Sequence, residues 1–164
     1  MNSGVSQLCL ACGMCCDGTL FGFVALRSGE DAVLKASGLD PKPRKDGRWS
    51  LPQPCAALRG TACSAYATRP AGCRDFNCGL VQALNEGEVA LEEALAVVER
   101  AHALRESVER ALPPGIPAEG KSVMQRARRD GVLNLEALRD LEDYLAFHFV
   151  RRAPGGSAPS DETV

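Results

Sequence analysis

The sequence predicts a small α-rich or α+β fold in which an irregular, cysteine-rich metal-binding half packs against two or three helices. Three observations carry that expectation. All eight cysteines of the 164-residue chain fall before residue 79, in a stretch rich in loop residues. Beyond it, apolar residues recur three and four apart from Leu91 to Leu112 and from Leu135 to Phe149, the stripe of an amphipathic helix. The composition, 45% hydrophobic and 24% charged, suits one globular unit. A chain of this length buries roughly two-thirds of its unfolded surface.

Taken in order, residues 1–18 hold the densest cysteine run and show little periodicity. Residues 21–26 read as a short strand. Ser28 is the expected N-cap of a helix with Glu30 and Asp31 in its first turn, where carboxylates suit the helix dipole. That helix is expected to run through Leu34 and stop near Gly38. Residues 40–54 have the Pro-, Lys- and Arg-rich chemistry of a loop, with a strand over residues 48–51 leading back to Cys55. Thr68 is the expected cap of a short helix that starts near Pro70 and projects Cys73. A long helix follows, with Leu91, Leu95, Val98, Ala101, Arg105, Val108 and Leu112 on one face, ended by Pro113 and Pro114. A second is expected over residues 118–129, up to Gly131. Asn134 should cap a third, in which Leu135, Leu138, Leu141, Leu145 and Phe149 share a face. The expected organisation is therefore a cysteine-cluster region over residues 1–84, a helical region of the same domain over 85–152, and a flexible tail over 153–164.

A net charge of −2 argues against nucleic acid or an anionic membrane surface as the partner. The first seven residues have neither a basic start nor an apolar run, so no secretory signal is expected. Nor is there an apolar stretch of the ~18 residues that a membrane span requires. The expected compartment is the reducing cytoplasm, where clustered cysteines are metal ligands rather than disulfides. An even count does permit a disulfide framework, and buried inert thiols are a third reading. Disulfide scaffolds, however, spread their cysteines over the whole chain to cross-link a weak core, and here half the chain has none.

The candidate ligands are Cys9, Cys12, Cys15, Cys16, Cys55, Cys63, Cys73 and Cys78. Thiolates favour zinc and iron because both gain covalent character from soft sulfur. The first four form a CxxCxxCC run, and two intervening residues let the chain turn so that successive sulfurs address one centre. Were the run helical, its sulfurs would share about a third of the circumference. Gly13 makes a tight loop an equal option. The other four are too widely spaced for one knuckle and must be gathered by folding. Two partitions fit: two separate sets of four, or an interleaved set of three close cysteines and a distant fourth, as in many [4Fe–4S] loops. Only His102 and His148 could add imidazole, and both lie outside the cluster. Arg59, Arg69 and Arg74 are near enough in sequence to hydrogen-bond the sulfurs.

The weaker candidates have bland readings. Asp17 beside Cys16 belongs to an Asp-Gly turn pair before it is a ligand or base. His102 and His148 fit helix-surface and packing roles, and Tyr66 and Trp49 should cap the core beside the metal sites. The glutamates between residues 92 and 109 read as a solvated helix face. No Ser–His–Asp set or phosphate-cradling glycine loop is present.

Cys9-x-x-Cys12-x-x-Cys15-Cys16, Pro54-Cys55, Cys63-x-x-Tyr66 and Arg69-Pro70-x-x-Cys73-Arg74-x-Phe76-x-Cys78 together resemble the YkgJ-type cysteine-cluster family. The resemblance spans about residues 9–80 and takes in every cysteine in order. It implies chelation of Zn²⁺ or iron by the eight thiolates, and the spacing of three close cysteines and a distant fourth also admits a [4Fe–4S] cluster. It says little of any reaction. Larger proteins with such a cluster, the flagellin lysine methylases among them, are enzymes, but this chain lacks a Gly-rich methyl-donor motif. Three functions follow as expectations: a metal-binding protein with structural sites, an iron–sulfur-dependent redox or protein-modifying enzyme, and a helical module that docks a protein partner. Closed four-cysteine coordination leaves no open position for a substrate and favours the first.

Overall fold

The computed structural model describes residues 3–116, 120–129 and 136–150. Among them are seven α-helices and two small antiparallel sheets, so the α-rich to α+β expectation holds. The helices are α1 (Ser3–Cys12), α2 (Glu30–Ala36), α3 (Ala71–Arg74), α4 (Gly79–Glu86), α5 (Leu91–Ala111), α6 (Val123–Arg129) and α7 (Glu136–His148). The strands are β1 (Phe23–Ala25), β2 (Lys42–Pro43), β3 (Trp49–Pro52), β4 (Leu58–Arg59) and β5 (Ala62–Cys63).

Two apolar cores organise these elements. The larger is helical. The long helix α5 packs against α7, α1, α4 and α6. It buries Ala94, Val98, Ala101, Leu104 and Val108, three and four residues apart. The stripe therefore lies one residue off the expected one at its N-terminal end, with Ala94 inside and Leu95 only half-buried. Arg105, expected on the stripe, lies at its margin, its guanidinium 3.7 Å from Asp17. From α7, Leu138, Leu141 and Leu145 enter the same core, followed by Phe149, as their spacing predicted. The helix expected over residues 118–129 begins only at Val123, with residues 120–122 in turn and coil. Leu135, Asn134, Gly131, positions 118 and 119 and the expected tail lie outside the described residues.

The second core sits under the three-stranded sheet, whose order is β1-β3-β2. Val24 faces Leu51 across β1 and β3, and both turn inward to meet Leu26, Leu34, Leu39 and Ala57. Within the region expected as loop over residues 40–54, β3 is the strand expected over 48–51 and β2 is an addition. Asp46 and Gly47 make a tight turn in which Arg44 N–H bonds to Arg48 O (2.8 Å), so β2 pairs back onto β3. The large aromatics lie at the margin of this core. Phe23 is 47% exposed beneath the Arg44 guanidinium, and Phe76 is 44% exposed with its ring edge-to-face on Phe21 at 5.0 Å.

Two expected caps are corrected. Gly29, not Ser28, precedes α2, with φ +84° and no side-chain cap. Pro70, not Thr68, precedes α3. Glu30 ties the turn before α2 and caps α3. Its Oε2 accepts the Arg27 N–H (2.8 Å), and its Oε1 accepts the Ala71 N–H at the start of α3 (2.7 Å). Elsewhere the sequence held a cap that was not anticipated. Ser122 Oγ accepts the Gln125 N–H (3.1 Å) while Gln125 Oε1 accepts the Ser122 N–H (3.0 Å), a reciprocal box that starts α6.

Candidate metal centre

Helix α1 forms because Val5, Leu8 and Cys12 fall on one face and bury against the helical core. It ends at Gly13, whose φ of +63° reverses the chain, its N–H bonding to Cys9 O (3.2 Å). Neither sequence alternative is complete. Cys9 and Cys12 ride on a helix, and Cys15 and Cys16 on the turn after it. The turn is closed by Cys16 and Asp17 N–H groups on Gly13 O, at 2.9 and 3.0 Å. Asp17 is the turn residue expected, with Oδ1 accepting Thr19 N–H at 2.8 Å.

The remaining cysteines reach this segment by three routes. Cys55 N–H donates to Cys16 O at 2.7 Å, which docks the loop after β3 against the turn. Cys63 ends β5, paired with Leu58 across the β4–β5 ladder. Cys73 projects from α3, whose start is pinned by Glu30. Cys78 comes from the opposite direction. It precedes α4, which packs on α1, and the next residue, Gly79, donates its N–H to Phe149 O at the end of α7 (2.9 Å). Helix α4 itself went unforeseen in the sequence: Leu80, Val81 and Leu84 are too few to mark a period.

All eight cysteines line one cavity of about 590 Å³. None is in a disulfide. Within the cavity they act on one another in two sets. Cys9, Cys12, Cys15 and Cys78 are electrostatic neighbours, as are Cys16, Cys55, Cys63 and Cys73. The packing draws the same line. Cys12 and Cys78 are buried in the helical core, whereas Cys55, Cys63 and Cys73 pack against the sheet core. Adjacent Cys15 and Cys16 fall on opposite sides and are where the sets meet. Among the described residues, no three His, Cys, Asp or Glu side chains are drawn together tightly enough to enclose a metal ion.

Burial dominates the electrostatics. It pushes the Cys12 and Cys16 thiols up to about 12 and Cys73 up to about 11, with Cys15 higher still, each reinforced by neighbouring thiolate charge. Backbone N–H groups oppose this at three sulfurs: those of Leu80 and Val81 at Cys78, Met14 at Cys12 and Ala57 at Cys55. At Cys78 these groups have no cap hydrogen-bond geometry, so their influence is that of a helix N-terminus on a nearby sulfur. Eight soft donors and N–H groups directed at sulfur fit a thiophilic cation, which supplies the positive charge that buried thiolates need. The imidazoles do not join them. His102 Nε2 lies 3.3 Å from Ala11 O, and the His148 ring packs tilted on Tyr144 and edge-to-face with Phe147.

Comparison with family models, curated proteins and solved structures gives no match. Among the described residues no helix is long and apolar enough to cross a membrane.

Proposed function

We propose that this chain is a metal-chelating protein that holds zinc or iron through two four-cysteine sets, Cys9/Cys12/Cys15/Cys78 and Cys16/Cys55/Cys63/Cys73. The observation that carries this reading is the convergence of all eight thiols, from segments as far apart as Cys9 and Cys78, on one cavity in two groups of four. All eight cysteines line that cavity. Closure onto an ion then needs rotation about Cα–Cβ bonds, each step of which moves a sulfur between staggered positions. The YkgJ-type pattern of the sequence supports the same reading. A bound ion supplies cross-links between α1, the β-hairpin loops, α3 and α4, so the sites are structural. Four-thiolate coordination leaves no ligand position for a substrate.

Elemental analysis and absorption of the full chain purified without oxygen test this. Two zinc or mononuclear iron ions per chain, or a brown sample absorbing broadly near 400 nm from an iron–sulfur cluster, support it. Folded, metal-free protein with four disulfides by mass spectrometry overturns it. A cluster that is redox-active in solution would move the reading toward the iron–sulfur enzyme class.

A further inference from the structure

Two divalent ions held by eight thiolates leave a net charge of about −4 in a largely apolar cavity. A cation beside them would add to what backbone N–H groups offset at Cys12, Cys55 and Cys78, and the sequence offers Arg59, Arg69 and Arg74. The structure separates the three. Arg59 directs Nη1 at Ala56 O and Leu58 O, both at 2.8 Å, and is not part of the cavity wall; its charge lowers Cys55 of one set alone. Arg74 lines the cavity, but its Nη1 is engaged by Arg69 O at 2.7 Å. Arg69 also lines it, and among the described residues these two arginines are the wall's only charged side chains. The Arg69 guanidinium lies on the Tyr66 ring, 3.6 Å from its centroid, and its buried Nε has no hydrogen-bond partner. A buried donor without an acceptor costs about 1–3 kcal/mol. Among the described residues the Nε atoms of Arg69, Arg105 and Arg126 are left so, and of the three residues Arg69 alone lines the cysteine cavity. Its charge also reaches one thiol of each set, lowering Cys9 and Cys73 against the upward push of burial.

We propose that Arg69 is a positioning residue shared by the two centres: Nε–H donates to a thiolate of Cys9 or Cys73, and the guanidinium charge offsets both sets at once. The proposal rests on the metal-binding reading and adds to it the residue that joins the two sets. The Tyr66 ring against the guanidinium face restrains its plane. Hydrogen bonds from such outer partners lower the energy of the sulfur lone pairs and tune both affinity and spectrum.

The test uses the full chain, reduced and loaded with Co²⁺ alone, comparing wild type with Arg69→Gln and Arg69→Lys. Competition with a chelator gives affinity, and the sulfur-to-cobalt charge-transfer band reports the sulfur lone pairs. Arg69→Gln should weaken both sites about 10- to 100-fold and move the band to longer wavelength. Arg69→Lys should recover most of the affinity through its charge, with the band still displaced because a lysine cannot reproduce the directed Nε–H. An unmoved band in fully loaded Arg69→Gln overturns the proposal, even where its melting temperature falls, because packing alone would then explain the loss. If Arg69→Gln fails to fold, a wild-type band in Arg69→Lys overturns it equally. Wild-type chain that takes up no Co²⁺ overturns the metal-binding reading and this inference with it. Wild type that binds and variants that do not differ overturn only the role of Arg69.

Discussion

Gly13 shows how much of the centre depends on a single residue. Its φ of +63° is the left-handed region, and a Cβ there would lie 3.0 Å from Thr61 Cα and 3.1 Å from Thr61 Cβ. The strain alone costs about 1–2 kcal/mol, and the neighbour is backbone that cannot swing aside. Gly13→Ala should therefore lower the melting temperature by several degrees and reduce bound metal, since the turn it forms aims Cys15 and Cys16 apart. Equal melting and metal content in the variant would mean the turn does not position them. The thiols themselves make a second prediction. Below a pH of about 8.5 they are protonated whether the chain is folded or not, so their neutral burial contributes fully. As pH rises, the unfolded chain loses thiol protons first, because burial holds the folded values near 11 to 12 at Cys73, Cys12 and Cys16. Stability is lost across that window. The reduced, metal-free chain should melt progressively lower between about pH 9 and pH 12, and a flat profile there would contradict the burial.

At the scale of elements, two side chains start helices, one that carries a cysteine and one that does not. Glu30 caps α3 from 41 positions away, where sequence reasoning saw only a helix-dipole carboxylate of α2. A local cap can be read from a local pattern, but Glu30 reaches Ala71 only once α2 and α3 are packed beside β1. Glu30→Ala should cost about 1–2 kcal/mol and release Cys73 from its place. Faster labelling of Cys73 by a thiol reagent, with Cys12 unchanged, is the expected readout. The Ser122–Gln125 box has a different reach. It closes over Gly18, where an added Cβ would come within 2.7 Å of Ser122 Cβ. Ser122→Ala removes the cap and keeps that contact, so a loss of about 1 kcal/mol and a few degrees in melting temperature is expected without loss of metal. Metal loss in this variant would show that α6 supports the centre directly.

For the whole molecule, the helices were legible where their period was long. The face of α7 follows from leucine spacing, and that of α5 follows except where Ala94 and Leu104 lie inside in place of Leu95 and Arg105. The eight ligand candidates were legible from clustering, but their partition was not. It depends on Gly13 ending α1, on α4 packing against α1, and on the small aliphatics Val24, Leu34 and Leu51 forming a core that the more conspicuous Phe23 and Phe76 do not. The first four cysteines look like one knuckle in sequence, yet three face the helical core side with Cys78 and the fourth faces the sheet side. This makes the last prediction. Cys12 belongs to the set embedded among α1, α4 and α5, and Cys73 to the set carried by the sheet and α3. Structural sites contribute on the order of 10 kcal/mol of apparent binding energy, comparable to the stability of a domain, so losing one loosens what it ties. Cys12→Ser should lose about one of two ions and speed amide exchange in α1 and α4, leaving β1, β3 and α3 protected. Cys73→Ser should do the reverse. In both, the buried Val98, Ala101, Leu138 and Leu141 contacts keep α5 and α7 protected, because that packing needs no metal. Native mass spectrometry counts the ions and exchange locates the loss. If either substitution strips both ions and loosens both sides alike, the eight thiols form one undivided centre and the two-set assignment fails.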